Sequence, residues 1–198
     1  MSLSSIRSLL NDYSLSELNE KSSVEKMIWD KYGQSGAVFI LDMSGFSRTT
    51  VAKGLVYYLA MVNRMQTIVE PILTRTGSLV KFDADNAFAF FSETSQAVEA
   101  AIEVNQVLKE DNSRNPEILD IQVSIGIDYG EFLYLHEVGD FFGNPVNFAC
   151  KLGEDIGEAG EILVTETAWN QIGNNSYKAQ VGAYQISGIA FKAYKLSY

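Results

Sequence analysis

The sequence predicts an α+β fold in which helices pack on one face of a mixed, mostly antiparallel sheet, as in ferredoxin-like proteins. Three observations lead to this prediction. Apolar runs typical of strands alternate with segments whose apolar residues recur every three or four positions. Two short apolar strands with an acidic turn between them form a predicted hairpin at residues 79–90. No glycine-rich phosphate fingerprint follows the first strand, which argues against a doubly wound nucleotide-binding fold.

Composition indicates a globular protein that can bury a full core. The chain has 198 residues, of which 46% are hydrophobic, and a formal net charge of -10. Because binding to nucleic acid needs a basic face, this charge argues against nucleic acid as a partner, although local cations and metal could still hold a nucleotide. The single cysteine, Cys150, cannot form an intramolecular disulfide. We find no signal peptide and no apolar stretch of ~18 residues, and so expect a cytoplasmic protein with no membrane partner.

Residues 1–34 are predicted to form a helical lead-in, and residues 35–198 a single domain. Apolar residues at helical spacing predict two short helices in the lead-in, and Ser14 with Glu17 resembles a capping box at the start of the second. We expect these helices to pack on the domain or on a second copy of the chain. Residues 32–36, which include two glycines, are predicted to link the lead-in to the domain.

The first half of the domain begins with an apolar run at residues 37–41, which predicts a strand buried on both faces. A loop of small residues is predicted at 43–47. The spacing of apolar residues from Leu55 to Ile72 predicts an amphipathic helix that Pro71 should kink or end. After the hairpin, a second amphipathic helix is predicted from Ala97 to Leu108, and a polar loop over residues 109–116.

In the second half, strict alternation from Ile121 to Ile127 predicts a half-buried strand. A turn at residues 128–130 is predicted to lead into another strand at 131–135. A third helix is predicted over residues 146–156, followed by a short strand at 162–164 and a helical turn capped by Thr165. A last strand is predicted over residues 190–196.

Two acids lie where predicted strands meet turns. Asp42 follows the first strand, and Asp85 lies in the turn of the hairpin. If these strands are neighbours, both carboxylates meet at one edge of the sheet, where they could hold divalent metal ions. Two metals on shared carboxylates can activate a hydroxyl and stabilise a leaving pyrophosphate. From the residues alone, the alternative that both are simply solvent-exposed acids stays open.

Five blocks of the sequence occur in an order that resembles a known family. They are FILDMSGFS at residues 39–47, the hairpin at 77–91, SIGIDYGE at 124–131, DFFGNPVNFACKL at 140–152 and GEILVT at 160–165. Together they resemble the catalytic domain of class III nucleotidyl cyclases, which make cyclic nucleotides from nucleoside triphosphates. The resemblance extends over residues 37–196. Each block alone is weak, but five in order with matching gaps are specific.

The resemblance assigns a role to each matching residue. Asp42 and Asp85 match the acids that bind two Mg²⁺ or Mn²⁺ ions. Lys81 matches the residue that recognises the base, and Asp140 matches its partner; in this family a Lys with an Asp implies adenine. Asn147 matches the residue that orients the ribose. The resemblance therefore implies an adenylate cyclase that converts ATP to cyclic AMP and pyrophosphate.

The family also implies a homodimer, with Asn147 and Lys151 meeting the metal and base residues across the subunit interface. Lys151 stands where the family has an arginine that stabilises the pentacoordinate phosphate, and it keeps the charge without the bidentate fork. Ser187 and Gly188 stand where the family often has Lys-Gly, whose lysine touches the triphosphate; only Lys192 is nearby. The stretch between residues 131 and 140 is shorter than in many members, which implies a reduced dimerisation arm.

Two further departures concern the hairpin. Asp83 is an extra acid that could pair with Lys81 and weaken base recognition. Asn86 replaces a glycine that usually follows the metal-binding acid, a position where a left-handed turn tolerates asparagine. His136, the sole histidine, is expected at the surface or an interface.

The departures leave two other interpretations open. One is a catalytically weak or inactive cyclase-like module that binds a nucleotide, or only a partner protein, and serves regulation. The other is a cyclase that uses a different nucleoside triphosphate. We expect Cys150 to be a small buried packing residue on the third helix. Tyr57 and Tyr58 could face either a dimer partner or solvent, and the sequence leaves both open.

Overall fold

The computed structural model describes residues 5–115, 120–173, 177–186 and 188–198. The helices are α1 (Ile6–Leu15), α2 (Leu18–Tyr32), α3 (Phe46–Lys53), α4 (Leu55–Thr76), α5 (Thr94–Arg114), α6 (Asn144–Cys150) and α7 (Glu166–Gln171), with a π-helical turn at Lys151–Ile156. The strands are β1 (Gly33–Met43), β2 (Ser78–Asp83), β3 (Asn86–Phe91), β4 (Val123–Leu135), β5 (Asp140–Phe142), β6 (Ile162–Thr165), β7 (Lys178–Ile186) and β8 (Ile189–Ser197). None of the helices within these ranges is long and apolar enough to span a membrane.

The described strands form one mixed sheet in the order β2-β3-β1-β4-β6-β8-β7, and β5 pairs with the end of β4. Pairing is antiparallel except between β4 and β6. The two long helices, α4 and α5, bury their apolar stripes against one face of this sheet. The predicted α+β fold class is therefore confirmed, but the helices are not confined to one face of the sheet as predicted. The short helix α6 and the π-helical turn lie on the opposite face, over Val38, Ile40 and Phe132.

Strand β1 explains how the core determines the position of the first acid. Residues 37–41 have no exposed surface, as their apolar run predicts. Phe39 and Leu41 face α4 and α5, whereas Val38 and Ile40 face the other side. Side chains alternate along a strand, so Asp42 follows Ile40 onto the face that carries α6.

Strand β4 differs from the prediction of two strands separated by a turn. It runs without interruption from Val123 to Leu135, and its first half is buried on both faces. Two of the residues that suggested a polar face, Ser124 and Gly126, are small because α6 and the π-helical turn approach them closely. A Cβ on Gly126 would lie 2.1 Å from the carbonyl oxygen of Ala149, and the Ser124 hydroxyl donates to the carbonyl of Gly153 at 2.7 Å. Glycine at 126 is therefore what allows α6 to lie against the sheet.

The two lead-in helices form as predicted, but their boundaries differ. Ser14 lies inside α1, where its hydroxyl donates to the carbonyl of Leu10, and Glu17 is the N-cap of α2. Residues 33–36, predicted as a linker, are the first part of β1 and pair with β4. The helices pack on this chain's own domain through a small cluster that includes Leu135. The division of the chain at residue 34 stays a prediction.

Several other boundaries moved because tertiary packing outweighs local signals. Helix α3 occupies part of the predicted small-residue loop, and α4 continues through Pro71 to Thr76, where buried Ile72 and Leu73 hold the last turns. Helix α5 extends over most of the predicted polar loop at residues 109–116; residue 116 lies outside the described part of the chain. The hairpin, β6, β8 and the Thr165 cap agree with prediction, whereas the ranges of β5 and β7 were not predicted.

Candidate functional site

The hairpin of β2 and β3 presents the second predicted metal-binding acid. Asp83 and Asn86 are the last paired residues, so Ala84 and Asp85 form the turn. Ala84 has the positive φ, 51°, and Asn86 lies in the strand. The left-handed position that we expected at Asn86 therefore lies two residues earlier, at Ala84. Gln66 of α4 donates to the carbonyl of Ala84 at 2.9 Å and holds the turn against the domain.

Asp42 and Asp85 come together as the sequence predicts. Asp42 pairs with Asn86 in the β1–β3 ladder, and the amide of Met43 donates to the carbonyl of Asp85 at 3.2 Å. Burial, and then the charges of Asp85 and Glu154, raise the pKa of Asp42 to about 7. The two carboxylates therefore repel each other in a partly desolvated place, which favours binding of a cation.

Glu154 is a third acid at this place, and the sequence analysis did not identify it. It lies on the π-helical turn, and its carboxylate accepts a hydrogen bond from the side-chain amide of Asn86 at 3.4 Å. Burial raises its pKa first, and the charges of Asp155, Asp83 and Asp85 add to the effect, while Lys151 opposes it. The local sequence around Glu154 does not indicate a role in the site, because only the fold brings this residue beside the hairpin of β2 and β3.

Tyr58 was expected to face a partner or solvent, but it is 3% exposed and lies inside the core. Burial, and then the nearby Asp85 carboxylate, raise the pKa of its phenol. Tyr58 on α4 therefore supports the turn that carries Asp85. The sequence did show that Tyr58 is a hydroxyl-bearing residue on an amphipathic helix. It did not show which residue the hydroxyl approaches.

The donor set of this place fits hard divalent cations. Within the described residues, neither Asp42 nor Asp85 forms an ion pair with a lysine or arginine. Carboxylate oxygens are the ligands that Mg²⁺ and Mn²⁺ prefer. No group of three or more Asp, Glu, His or Cys side chains in the described ranges is arranged as a ligand set. The candidate metal site accordingly consists of two carboxylates, with water or a triphosphate left to complete the coordination.

Lys81 and Asp140 also meet, although β2 and β5 are far apart in sequence. The Lys81 ammonium lies 3.0 Å from Oδ2 of Asp140, and each side chain is 29% exposed. The other carboxylate oxygen of Asp140 accepts from the amide of Phe141 at 2.9 Å. Asp83, which we expected could compete for Lys81, forms no ion pair with it in the described structure.

Aromatic side chains surround this ion pair. The Lys81 ammonium lies 4.9 Å from the centroid of the Phe88 ring, which in turn meets Phe141 edge-on at 6.3 Å. Cys150 packs partly buried against the same cluster, as expected for a small packing residue. Burial, foremost, raises the pKa of its thiol to about 11, and the charges of Glu154, Lys151, Lys81 and Asp140 all act on it. A polar pair with apolar and aromatic walls is suited to hold a planar base.

Asn147 and Lys151 lie one helical turn apart at the end of α6, so they share one face. Both are exposed. The Lys151 ammonium is paired with Asp155 at 2.5 Å, and that hydrogen bond raises the lysine pKa. The structure thus brings together Asp42 with Asp85, Lys81 with Asp140, and Asn147 with Lys151, but no hydrogen bond joins these three pairs among the described residues.

Ser187, which stands where the resemblance places a triphosphate-binding lysine, lies outside the described residues. Lys192, its nearest candidate substitute, is exposed and pairs with Glu166 at 3.1 Å. His136 is exposed, as expected, and its ring lies 5.8 Å from that of Tyr32. A cavity of about 960 Å³ between the end of α5 and the last strand contains none of the candidate site residues.

Comparison with known proteins identifies the fold. No family model matches the chain. It is 24% identical over 131 residues to a protein named putative adenylate cyclase 3 from Rhizobium meliloti, covering 66% of this chain. The chain spans 22% of that protein and 28% of the next curated relative it matches.

Solved structures give the fuller match. The adenylyl cyclase CyaB from P. aeruginosa has a TM-score of 0.71 at 20% identity, covering 84% of this chain and 96% of that one. A guanylyl cyclase has a TM-score of 0.72 at 17% identity, covering 83% and 92%. The chain therefore has the fold of class III adenylate and guanylate cyclase catalytic domains, and the resemblance inferred from its sequence is confirmed for the fold.

Proposed function

We propose that this chain is a nucleotidyl cyclase domain that converts ATP to cyclic AMP and pyrophosphate. The observation that carries the proposal is the Lys81–Asp140 ion pair on a cyclase fold, beside a hairpin that also carries Asp85. The two charges compensate each other beside the apolar residues of this face. Because each side chain is still 29% exposed, the pair also leaves a donor and an acceptor within reach of a base.

Metal binding would fall to Asp42 and Asp85. Their mutual repulsion and partial burial provide the reason for a cation to bind there. Two Mg²⁺ or Mn²⁺ ions held there would favour loss of the ribose 3′-hydroxyl proton and stabilise charge on the triphosphate. The chain's own part is to hold both carboxylates in position, through the β1–β3 ladder and through Tyr58.

Adenine recognition would use the donor and acceptor that the ion pair offers. The Lys81 ammonium can donate to N1 of adenine, and the Asp140 carboxylate can accept from its 6-amino group. Guanine presents a donor and a carbonyl at the same positions, so this arrangement favours adenine. The hydrogen bond from the backbone amide of Phe141 to the Asp140 carboxylate keeps the acceptor oriented.

The exposed face of α6 would orient the ribose with Asn147 and stabilise the phosphate with Lys151. Catalysis of this kind is mostly positioning and electrostatic stabilisation during in-line attack on the α-phosphate. In a homodimer, Asn147 and Lys151 of one subunit would meet the metal site of its partner. Their exposure on the surface of one chain supports such an arrangement.

Turnover and metal dependence test the proposal together. Purified protein with Mn²⁺ and ATP should yield cyclic AMP, and the Asp85→Ala variant should yield none. Asp12→Ala, which removes an exposed acid on α1, is the matched control and should keep full activity. Wild-type protein that forms no cyclic AMP under these conditions would contradict catalysis.

A second candidate is a non-catalytic module that binds nucleotide for regulation. The pairing of Lys151 with Asp155 favours it, since the lysine at the phosphate-stabilising position is already engaged. Calorimetry with ATP and Mn²⁺ separates the two candidates when it is run beside the turnover assay. Binding without product supports the regulatory module, whereas binding with product supports the cyclase.

A further inference from the structure

We infer that the lead-in helices α1 and α2, here called the N-terminal hairpin, position Asp140 and so tune nucleotide recognition by the Lys81–Asp140 pair. Glu137, in the turn between β4 and β5, is the positioning residue that connects them. The inference rests on the proposed function, because it assumes that Asp140 reads the base. The physical link itself can be tested without any nucleotide.

The carboxylate of Glu137 gathers three donors from the N-terminal hairpin. It accepts hydrogen bonds from the Tyr32 hydroxyl at 2.8 Å, the Lys31 ammonium at 3.3 Å and the backbone amide of Ile6 at 3.4 Å. Ile6 begins α1, whereas Lys31 and Tyr32 end α2. One side chain therefore ties both helices to the β4–β5 turn. The bond from Tyr32, foremost, keeps the pKa of Glu137 below its usual range, so the acceptor stays charged.

Apolar contact between the N-terminal hairpin and the domain converges on the same place. The N-terminal hairpin forms a small apolar cluster separate from the main core. Leu135, at the end of β4, is the buried member of this cluster that comes from the sheet. The other buried members come from the hairpin itself: Ile6, Leu9, Val24, Ile28 and Tyr32. A displacement of the N-terminal hairpin would therefore act on the end of β4, as well as on β1, which follows α2 directly.

Leu135 is in turn the direct ladder partner of Asp140. The two residues pair in the β4–β5 register, and the amides of Val138 and Gly139 both donate to the carbonyl of Leu135 at 2.9 Å. Asp140 begins a strand of only 3 residues, so little else holds its backbone. Its carboxylate then bridges Lys81 and the amide of Phe141. A continuous set of contacts therefore joins the N-terminal hairpin to the Lys81–Asp140 pair.

These contacts would have no role in positioning if Asp140 kept its place without the N-terminal hairpin. Amide hydrogen exchange tests this. The Phe141 amide reports on Asp140 directly, since it donates to that carboxylate. In the full chain without nucleotide, the Phe141 amide should exchange about tenfold faster in Tyr32→Phe and in Glu137→Ala than in wild type. This is the effect expected when a hydrogen bond to a charged acceptor is weakened. The Tyr32→Phe variant keeps the ring in its cluster, so it separates the lost hydrogen bond from unfolding.

Two variants serve as controls for that measurement. Lys26→Ala breaks the exposed Lys26–Asp30 pair, 2.8 Å long, on the same α2 helix and should leave Phe141 exchange unchanged. Glu137→Gln keeps a neutral acceptor for Tyr32 and should lie between wild type and Glu137→Ala. Equal Phe141 exchange in wild type, Tyr32→Phe and Glu137→Ala would overturn the inference.

Kinetics provide a second readout that a purely structural role would not move. If the hairpin positions Asp140, Tyr32→Phe should raise KM for ATP by about two- to twentyfold with a much smaller change in kcat. A wild-type protein that makes no cyclic AMP, with Phe141 exchange still dependent on Tyr32, contradicts the proposed function and leaves the mechanical link standing. Active wild-type protein with unchanged exchange and unchanged KM in Tyr32→Phe contradicts the inference alone.

Discussion

The ammonium of Lys81 lies 3.0 Å from Oδ2 of Asp140 across a separation of 59 residues in the chain. The contact depends on two strand pairings: β2 is held by β3, and β5 is held by the end of β4. Both residues are partly buried, beside aromatic rings, where a pair of opposite charges interacts more strongly than in water. The geometry gives one donor and one acceptor aimed from the same wall of the candidate site.

The first prediction concerns this pair. Lys81→Glu replaces the donor with an acceptor beside Asp140, so it should reduce the preference for ATP over GTP, measured as the ratio of kcat/KM, by about tenfold or more. Lys109→Glu, which makes the same charge change at an exposed position on α5, should leave the ratio unchanged. An unaltered preference in Lys81→Glu would show that the base is read elsewhere.

The second prediction concerns Lys151. An arginine can bind two phosphate oxygens at once, and a lysine offers only a single point charge. Lys151→Arg should therefore raise kcat by about tenfold with little change in KM, and Lys151→Ala should lower it. Lys178→Arg, on an exposed strand position, is the control. Arginine at 151 without any gain in turnover would mean that this position does not contact the reacting phosphate.

The third prediction tests how α6 is held against the sheet. A Cβ on Gly126 would lie 2.1 Å from the carbonyl oxygen of Ala149, so Gly126→Ala should lower the free energy of unfolding by about 1–3 kcal/mol in a urea titration. In Gly130→Ala, on the same strand, the new methyl meets Pro145 at an ordinary 3.4 Å and should be tolerated. Equal stability of the two variants would contradict the close packing that positions Asn147 and Lys151.

The fourth prediction concerns pH and a buried acid outside the site. Asp128 is 6% exposed, and burial raises its pKa, while hydrogen bonds from Thr165 and the Tyr129 amide oppose the shift. Above the ordinary pKa of an aspartate, the folded protein retains a proton that the unfolded chain has lost, so stability from this group falls as pH rises to the folded pKa. Asp128→Asn removes the titration and keeps a carbonyl acceptor.

The melting temperature should therefore rise in Asp128→Asn relative to wild type at alkaline pH, and the difference should shrink as the pH is lowered toward the usual range of an aspartate. Asp12→Asn, an exposed acid, should show no such trend. A difference between Asp128→Asn and wild type that does not depend on pH would mean that the carboxyl is not desolvated.

Much of the fold could be predicted because local patterns agree with tertiary packing. The apolar run at residues 37–41 is buried, and the acidic turn joins β2 to β3, since both signals are local. The prediction that the first part of β4 is half-buried was wrong because Gly126 and Ser124 are small for close packing with α6 and the π-helical turn rather than for solvent exposure. The predicted turn at residues 128–130 was wrong because these residues pair with β1. Such a distinction depends on a contact between distant segments.

The candidate site divides in the same way. The resemblance to a family of enzymes, rather than any local pattern, joined Lys81 with Asp140, and the structure contains that contact. It gave no indication of Glu154, Tyr58 or Glu137, because their importance comes from hydrogen bonds or charges across the fold. Position in the sequence alone does not tell which polar residue faces which partner.

The most direct test of the central claim is turnover of the four nucleoside triphosphates, mixed in equal amounts with Mn²⁺ and the full chain, with products separated by chromatography. Cyclic AMP should be the main product, and Asp85→Ala should form none. A main product from another nucleotide would contradict the assignment of Lys81 and Asp140 to adenine, and the absence of any cyclic product would contradict the proposed cyclase.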